Sequence, residues 1–298
     1  MKELLEKTIP GVEFDSSDRD PPPRCHPGTR LAILKRCLSF ILFCDGQKKM
    51  RWVVGAAGVG KSAVMQSVAE FPELPVSCHP SVFFSINGRN DGTKAIITIS
   101  YQLAVKSKSY RQLIKREITL DPSLLRLSMA KQFLKLIIVS FIHNSELNSA
   151  NHVLIIIDGL DECNDSCTQL ELLRLISDLC IKHPSSPLEE IPVNSSEARA
   201  DAERFLRTEL TKIKEASKDP VDPRWPEEQD FWELTNASGG LFAYAHMAIR
   251  YIGDSTVRSP ASQLSDVLNV IDNHPITNGP REEHPMALPD ALYLQSSV

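Results

Sequence analysis

The sequence predicts an α/β fold, a parallel sheet flanked by helices, followed by a smaller all-helical region. Three observations predict it. A glycine-rich stretch, Gly55-Ala56-Ala57-Gly58-Val59-Gly60-Lys61-Ser62, stands between a strand-like and a helix-like segment. An unbroken aliphatic run, Val153-Leu154-Ile155-Ile156-Ile157, ends in Asp158-Gly159-Leu160-Asp161-Glu162. Such a run reads as a central parallel strand buried on both faces. From residue 197 onward the apolar spacing is helical only.

The elements follow in order. Residues 1–23 are polar and end in Asp20-Pro21-Pro22-Pro23, a flexible or extended lead. The core is expected over residues 24–195. Leu31–Phe43 reads as a helix with Leu31, Leu34, Leu38, Ile41 and Leu42 near one face. Met50–Val54 reads as a short buried strand. After the glycine-rich stretch, Ala63, Val64, Met65, Val68 and Ala69 share a helical face, and Pro72 closes it. Asp121-Pro122 breaks the middle, and Lys131–Ile142 is helical with Phe133, Leu134, Ile137, Ile138 and Phe141 inward. A helix over Thr168–Ile181 follows the acidic string. Residues 196–273 form the helical region, with a proline-bearing loop over Lys218–Glu228. Residues 274–298 have no period and several prolines, and are expected to be a disordered tail.

The glycine-rich stretch matches the phosphate-loop pattern G-x-x-x-x-G-K-[ST] at every fixed position. Glycines let the backbone wrap so that its N–H groups point at phosphates. The expected phosphate contacts are Gly55, Gly58, Val59, Gly60, Lys61, Ser62 and Ala63. Lys61 would reach the phosphates as a point charge, while Ser62 and Asp158 would hold Mg²⁺. Asp161 and Glu162 are the candidates to polarise an attacking water, with an acidic helix start as the plain alternative. Together these features predict a phosphate-loop NTPase fold. No N-K-x-D motif is present, and Asp158–Asp161 spells D-x-x-D rather than D-x-x-G. ATP or ADP is therefore the expected ligand, with GTP possible. Arg89 and His246 are lesser candidates, read as a solvated loop arginine and a packed or surface histidine.

Composition bounds the rest. The chain has 298 residues, 42% hydrophobic and 24% charged, ordinary for a globular protein of about two domains. A net charge of −5 argues against general nucleic-acid binding. The apolar runs near Phe133–Ile142 and Val153–Ile157 are too short to span a bilayer, and Met1–Lys7 does not read as a signal peptide. The seven cysteines are scattered, and Cys163 with Cys167 lacks a second pair for zinc. Reduced thiols in a cytoplasmic protein are the reading.

At this point the chain resembles the NACHT-domain NTPases of the signal-transduction ATPase class, in particular fungal NLR-like proteins. The resemblance rests on Cys25-His26-Pro27-Gly28-Thr29-Arg30, the GAAGVGKS loop (Walker A) and Val82-Phe83-Phe84-Ser85. It also rests on Thr98–Ala104, on the acidic string after Ile155–Ile157 (Walker B), and on Gly239-Gly240-Leu241-Phe242-Ala243-Tyr244-Ala245. It implies a nucleotide-dependent intracellular signalling switch with slow hydrolysis. Its implied partners are a nucleotide and other proteins or further copies of itself.

One departure stands out. The family carries a further strand with an S-R-P-E type arginine after the acidic string, and Ile181 to Glu197 leaves no room for it. Only Ile191-Pro192-Val193 reads there as a last core strand. The loss implies weak nucleotide binding and little hydrolysis. A non-catalytic interaction module, or a degenerate fragment retaining the loop, is the competing reading. A small-molecule kinase is a third, opposed by the alternation of Arg199, Arg204 and Arg207 with acids.

Overall fold

A computed structural model describes residues 1–43, 50–142, 152–181, 189–192, 197–217, 222–254, 256 and 259–273. In chain order the elements begin with α1 (Lys2–Leu5), α2 (Leu31–Leu42), β1 (Arg51–Val54), α3 (Lys61–Ala69), β2 (Val76–Cys78) and β3 (Ser81–Phe83). Helices α4 (Ala95–Lys106) and α5 (Lys108–Leu120) follow. Next come α6 (Met129–Gln132), a π-helical stretch (Phe133–Val139) and α7 (Ser140–Ile142). Then come β4 (His152–Val153), β5 (Ile156–Asp158), α8 (Ser166–Ile181) and β6 (Glu189–Pro192). The last helices are α9 (Glu197–Ala216), α10 (Glu228–Ser238), α11 (Phe242–Ile252) and α12 (Pro260–Asn273).

The chain divides into two compact units. One holds residues 1–24, 34–52 and 62–189; the other holds 25–33, 53–61 and the residues from 190 on.

The first unit is built around α4. Ala95, Ile96, Ile97, Thr98, Ile99, Ser100, Leu103 and Ala104 are all buried, so this helix is covered nearly all round. It packs in one cluster with Tyr110 and Ile114 of α5, and with Leu124, Phe133 and Leu136. The Tyr110 hydroxyl donates to the Leu136 carbonyl at 2.7 Å and meets Ser100 Oγ at 2.8 Å. Its pKa is raised by burial. A phenol with partners on both sides costs little to bury.

Within residues 1–23, expected to be a flexible or extended lead, three apolar side chains reach this core. Leu4, Ile9 and Val12 are buried in the α4 cluster. The Ile9 N–H donates to Thr98 Oγ1 at 3.0 Å. Three apolar side chains with a satisfied backbone hold the segment against α4.

The expected single parallel sheet is corrected. Among the described residues the strands pair only two by two: β1 with β6, β2 with β4, and β3 with β5. The run Val153–Ile157, expected as one strand, is split between β4 and β5. Val153 pairs with Cys78 of β2, and Ile156 pairs with Ser81 of β3. The cause lies on the facing strands. Pro80, between β2 and β3, has no N–H to give a ladder. Its carbonyl still accepts from Ile156 N–H at 3.0 Å.

The other edge of β3 is already used. Ser81 N–H donates to Gln102 Oε1 at 2.8 Å, and Gln102 Nε2 donates to the Ser81 carbonyl at 2.8 Å. The Phe83 N–H donates to the Val12 carbonyl at 2.9 Å. A glutamine amide and the lead supply what a third strand would have supplied, so the pair stays a pair. A phosphate-loop NTPase sheet is not what the described strands build.

The second unit is helical. Leu206 and Leu210 of α9, Phe231 and Leu234 of α10, and Tyr244, Ala245 and Ala248 of α11 form its core. Ile252, Leu264 and Val267 complete it. Gly239 closes α10 with φ of 54°, in the left-handed region where glycine is favoured. Gly240 has φ of 88°, and a Cβ there would lie 3.2 Å from Ala198 Cβ. The pair turns the chain into α11.

Most of the gap expected after Ile181, the Val193 end of the expected last strand, and the 274–298 tail lie outside the described residues. No helix among the described residues is long and apolar enough to cross a membrane.

Candidate functional site

The glycine-rich stretch turns as its composition requires. Gly58 and Gly60 have φ of 77° and 93°, so both positions favour glycine. Nothing lies within 4 Å of where a Cβ on Gly60 would be, so open space adjoins the backbone there. Two bonds within the second unit fix the turn. Ala243 N–H, at the start of α11, donates to the Gly58 carbonyl at 3.0 Å. Arg30 Nη2 donates to the Val59 carbonyl at 2.6 Å.

Arg30 is buried, with its guanidinium over the Phe242 ring at 4.7 Å. Its backbone N–H donates to Asp201 Oδ2 at 2.9 Å. Burial lowers its pKa, opposed by the charge of Asp201. The Cys25–Arg30 segment and the Gly239–Ala245 segment, noted as separate motifs, thus both serve to hold this turn.

Lys61 is not extended away from the loop. Its Nζ donates to the Gly55 carbonyl at 2.8 Å and to the Ala56 carbonyl at 3.1 Å. Two of its three N–H groups are taken by the loop that carries it.

In the first unit, Ser62 and Ala63 lie in the first turn of α3. Asp158 ends β5, buried, near the Ser62 hydroxyl. Burial raises its pKa, while the Ser62 hydroxyl and the Arg19 charge oppose the rise. Asp161 and Glu162 fall in a short 3₁₀ turn, Leu160–Glu162. Gly159 before it has φ of 66°, and a Cβ there would sit 2.9 Å from the Phe84 carbonyl oxygen. Glu162 Oε2 accepts from the Ile86 N–H at 3.0 Å. Asp161 is exposed.

The first unit thus brings Ser62, Asp158 and Glu162 to one cleft of about 350 Å³. It also brings two arginines there, Arg19 and Arg89. Arg89 is no plain solvated side chain: its Nη1 donates to the Asp18 carbonyl at 3.1 Å. Arg19 escaped the sequence reading. It belongs to the lead, and only the burial of Ile9 and Val12 shows that the lead is fixed. The Asp18-Arg19-Asp20 string carries no motif. His246, in the second unit, stacks on Phe205 with ring centres 6.4 Å apart.

Among the described residues no group of three or more histidine, cysteine, aspartate or glutamate side chains is placed to hold a metal ion. Ser62 and Asp158 offer one hydroxyl and one carboxylate.

The sequence comparisons bear on the resemblance. A model of the family described as Nephrocystin 3, N-terminal, matches residues 34–189, just over half of the 298 residues. No curated protein and no solved structure matches the chain. The NACHT resemblance is corrected by this match and by the paired rather than continuous strands. With it falls the nucleotide-driven signalling switch, which depended on that resemblance.

Proposed function

The chain belongs to the nephrocystin 3 N-terminal family, and from that premise we propose that it is a non-catalytic interaction module that keeps a glycine-rich loop. The observation that carries this reading is the state of Lys61. Its ammonium is committed to the Gly55 and Ala56 carbonyls. Catalysis of phosphoryl transfer rests on positioned charge, and here the charge is turned inward. Glu162 supports the same reading, since its carboxylate accepts a backbone N–H.

In this reading the loop is a bound shape rather than an engine. An adenine nucleotide would be held without turnover, with Gly55, Gly58, Val59, Gly60 and Lys61 toward its phosphates. Ser62 and Ala63 open the helix behind it. Mg²⁺ would be held by the Ser62 hydroxyl and the Asp158 carboxylate. Asp161 and Glu162, expected to polarise water, act as the acidic start of the 3₁₀ turn.

The partner is a protein or a second copy of the chain. Large apolar side chains in the first unit stand in solvent, among them Ile86, Leu120, Leu134 and Leu170. Covering them is the kind of area an interface gains. A cytoplasmic setting fits Cys78, Cys163 and Cys167, which form no disulfide among the described residues.

Sedimentation velocity tests the proposal. The full chain and Lys61→Ala are run with and without Mg²⁺ and ATP. The module predicts the same assembly state in all four samples. A nucleotide-induced change of state that Lys61→Ala removes would contradict it.

A further inference from the structure

The Cys25–Arg30 segment of the second unit carries a histidine whose two ring nitrogens both face acceptors. His26 Nδ1 lies 3.1 Å from the Pro27 carbonyl oxygen, and Nε2 lies 3.2 Å from Glu209 Oε1 on α9. A carbonyl and a carboxylate accept and do not donate. A neutral imidazole has one N–H, so it fills one contact and sets a ring lone pair against an oxygen lone pair at the other. Only the imidazolium donates from both nitrogens. The side chains are 14% and 23% exposed, so solvent screens the ion pair only in part.

The same segment ends in a strained residue. Arg30 has φ of 57°, in the left-handed region, and is the one non-glycine residue with positive φ among the described residues. Its N–H is held by Asp201 of α9, and its Nη2 holds the Val59 carbonyl. Between the two residues, the Thr29 N–H and hydroxyl donate to the His26 carbonyl at 3.0 and 2.7 Å. His26 and Arg30 are thus the two ends of one short turn. One end is fixed to α9 by Glu209. The other is fixed to α9 by Asp201 and reaches the glycine-rich stretch at Val59.

We infer that His26 is a pH-dependent latch on the glycine-rich turn. Protonation of its ring fastens the Cys25–Arg30 segment to α9, and Arg30 passes that order to Val59. Histidine changes charge between about pH 5 and 8. The latch is closed on the acid side of that range and released as pH rises through it.

The charges around His26 are accounted for. On α9, Lys212 Nζ also donates to Glu209 Oε1, at 2.7 Å, and an oxygen with two lone pairs can accept from both. Arg204 is turned to the Gly28 carbonyl. On α11, His246 stacks on Phe205, which His26 meets edge-on at 5.3 Å. On the segment itself, the Arg30 charge is answered by Asp201, Cys25 and Glu197.

The latch goes beyond the interaction role, since it sets how firmly the loop is held whatever the partner. Hydrogen exchange of the full chain at about pH 5.5 and about pH 8 tests it. Protection factors, which remove the intrinsic pH dependence of exchange, are read at Gly58–Gly60 and at Ala243, whose N–H donates to the Gly58 carbonyl. Protection should be roughly threefold to tenfold higher at the lower pH. His26→Gln keeps a donor for Glu209 but does not titrate, and should give equal protection at both. Glu209→Gln keeps the histidine and removes the charge it answers, and should shrink the difference to less than half. His246→Gln should leave the difference as it is. The inference is overturned if the unaltered chain protects the turn equally at both pH values. It is equally overturned if His26→Gln keeps the difference, or if His246→Gln removes it. Should His26→Gln fail to fold, an undiminished difference in Glu209→Gln overturns it.

Discussion

The loop at Gly55–Lys61 and the cleft of Arg19 and Arg89 both present cations beside polar backbone, yet they treat those cations differently. Lys61 has two carbonyl partners from its own loop. Arg19 and Arg89 each keep a buried Nε without one. The loop closes its lysine on its own carbonyls. The cleft holds Ser62, Asp158 and Glu162 from the two sequence motifs beside two arginines that belong to neither. A motif locates a backbone shape; the arginines beside it are found only in the fold.

Four substitutions break or sharpen that contrast. The largest effect is expected from Ile9→Ala, which opens a cavity in the α4 cluster and should cost about 2–5 kcal/mol in urea unfolding. A cost near zero would show that the lead is not part of the core. Arg30→Ala comes next. It removes the bond to the Val59 carbonyl and the stacking on Phe242, and should cost about 1.5–3 kcal/mol. Hydrogen exchange should quicken at Gly58–Gly60 and leave the cleft residues unchanged. Equal quickening in the cleft would erase the distinction between the two regions.

Gly159→Ala should cost about 1–2 kcal/mol for the left-handed conformation alone, with the Phe84 carbonyl contact adding to it. A melting midpoint equal to that of the unaltered chain would contradict the strained geometry at the end of β5. The smallest effect concerns pH. Burial holds the Asp158 carboxyl above its ordinary value. Its contribution to stability is complete below the unfolded pKa and is lost as pH rises through the raised folded value. Relative to Asp158→Asn, the unaltered chain should therefore lose a little stability as pH rises from about 4 toward neutral. Melting midpoints across that range check it, and a constant offset would contradict it.

What could be read from the chain follows how local each cause is. The helices over Leu31–Leu42, Ser166–Ile181 and Glu197–Ala216 lie close to where apolar spacing and breakers put them. Those signals sit inside each segment. The turns at Gly58 and Gly60 were legible for the same reason, whereas Gly239, read as the start of a helix, instead closes α10. The sheet was not. Val153–Ile157 looks like one strand until Pro80 is placed opposite it. The edge of β3 looks open until Gln102 and Val12 are seen to close it. These partners are distant in sequence, and no periodicity reports them. Arg19 is hidden for the same reason. Its position depends on Ile9 and Val12 reaching α4, and a polar lead ending in prolines gives no sign of that.

The most direct measurement is release of inorganic phosphate from ATP with Mg²⁺, followed for the full chain and for Lys61→Ala under identical conditions. A non-catalytic module predicts that both release phosphate at the background rate of ATP alone. Release well above background by the unaltered chain, abolished in Lys61→Ala, would contradict it.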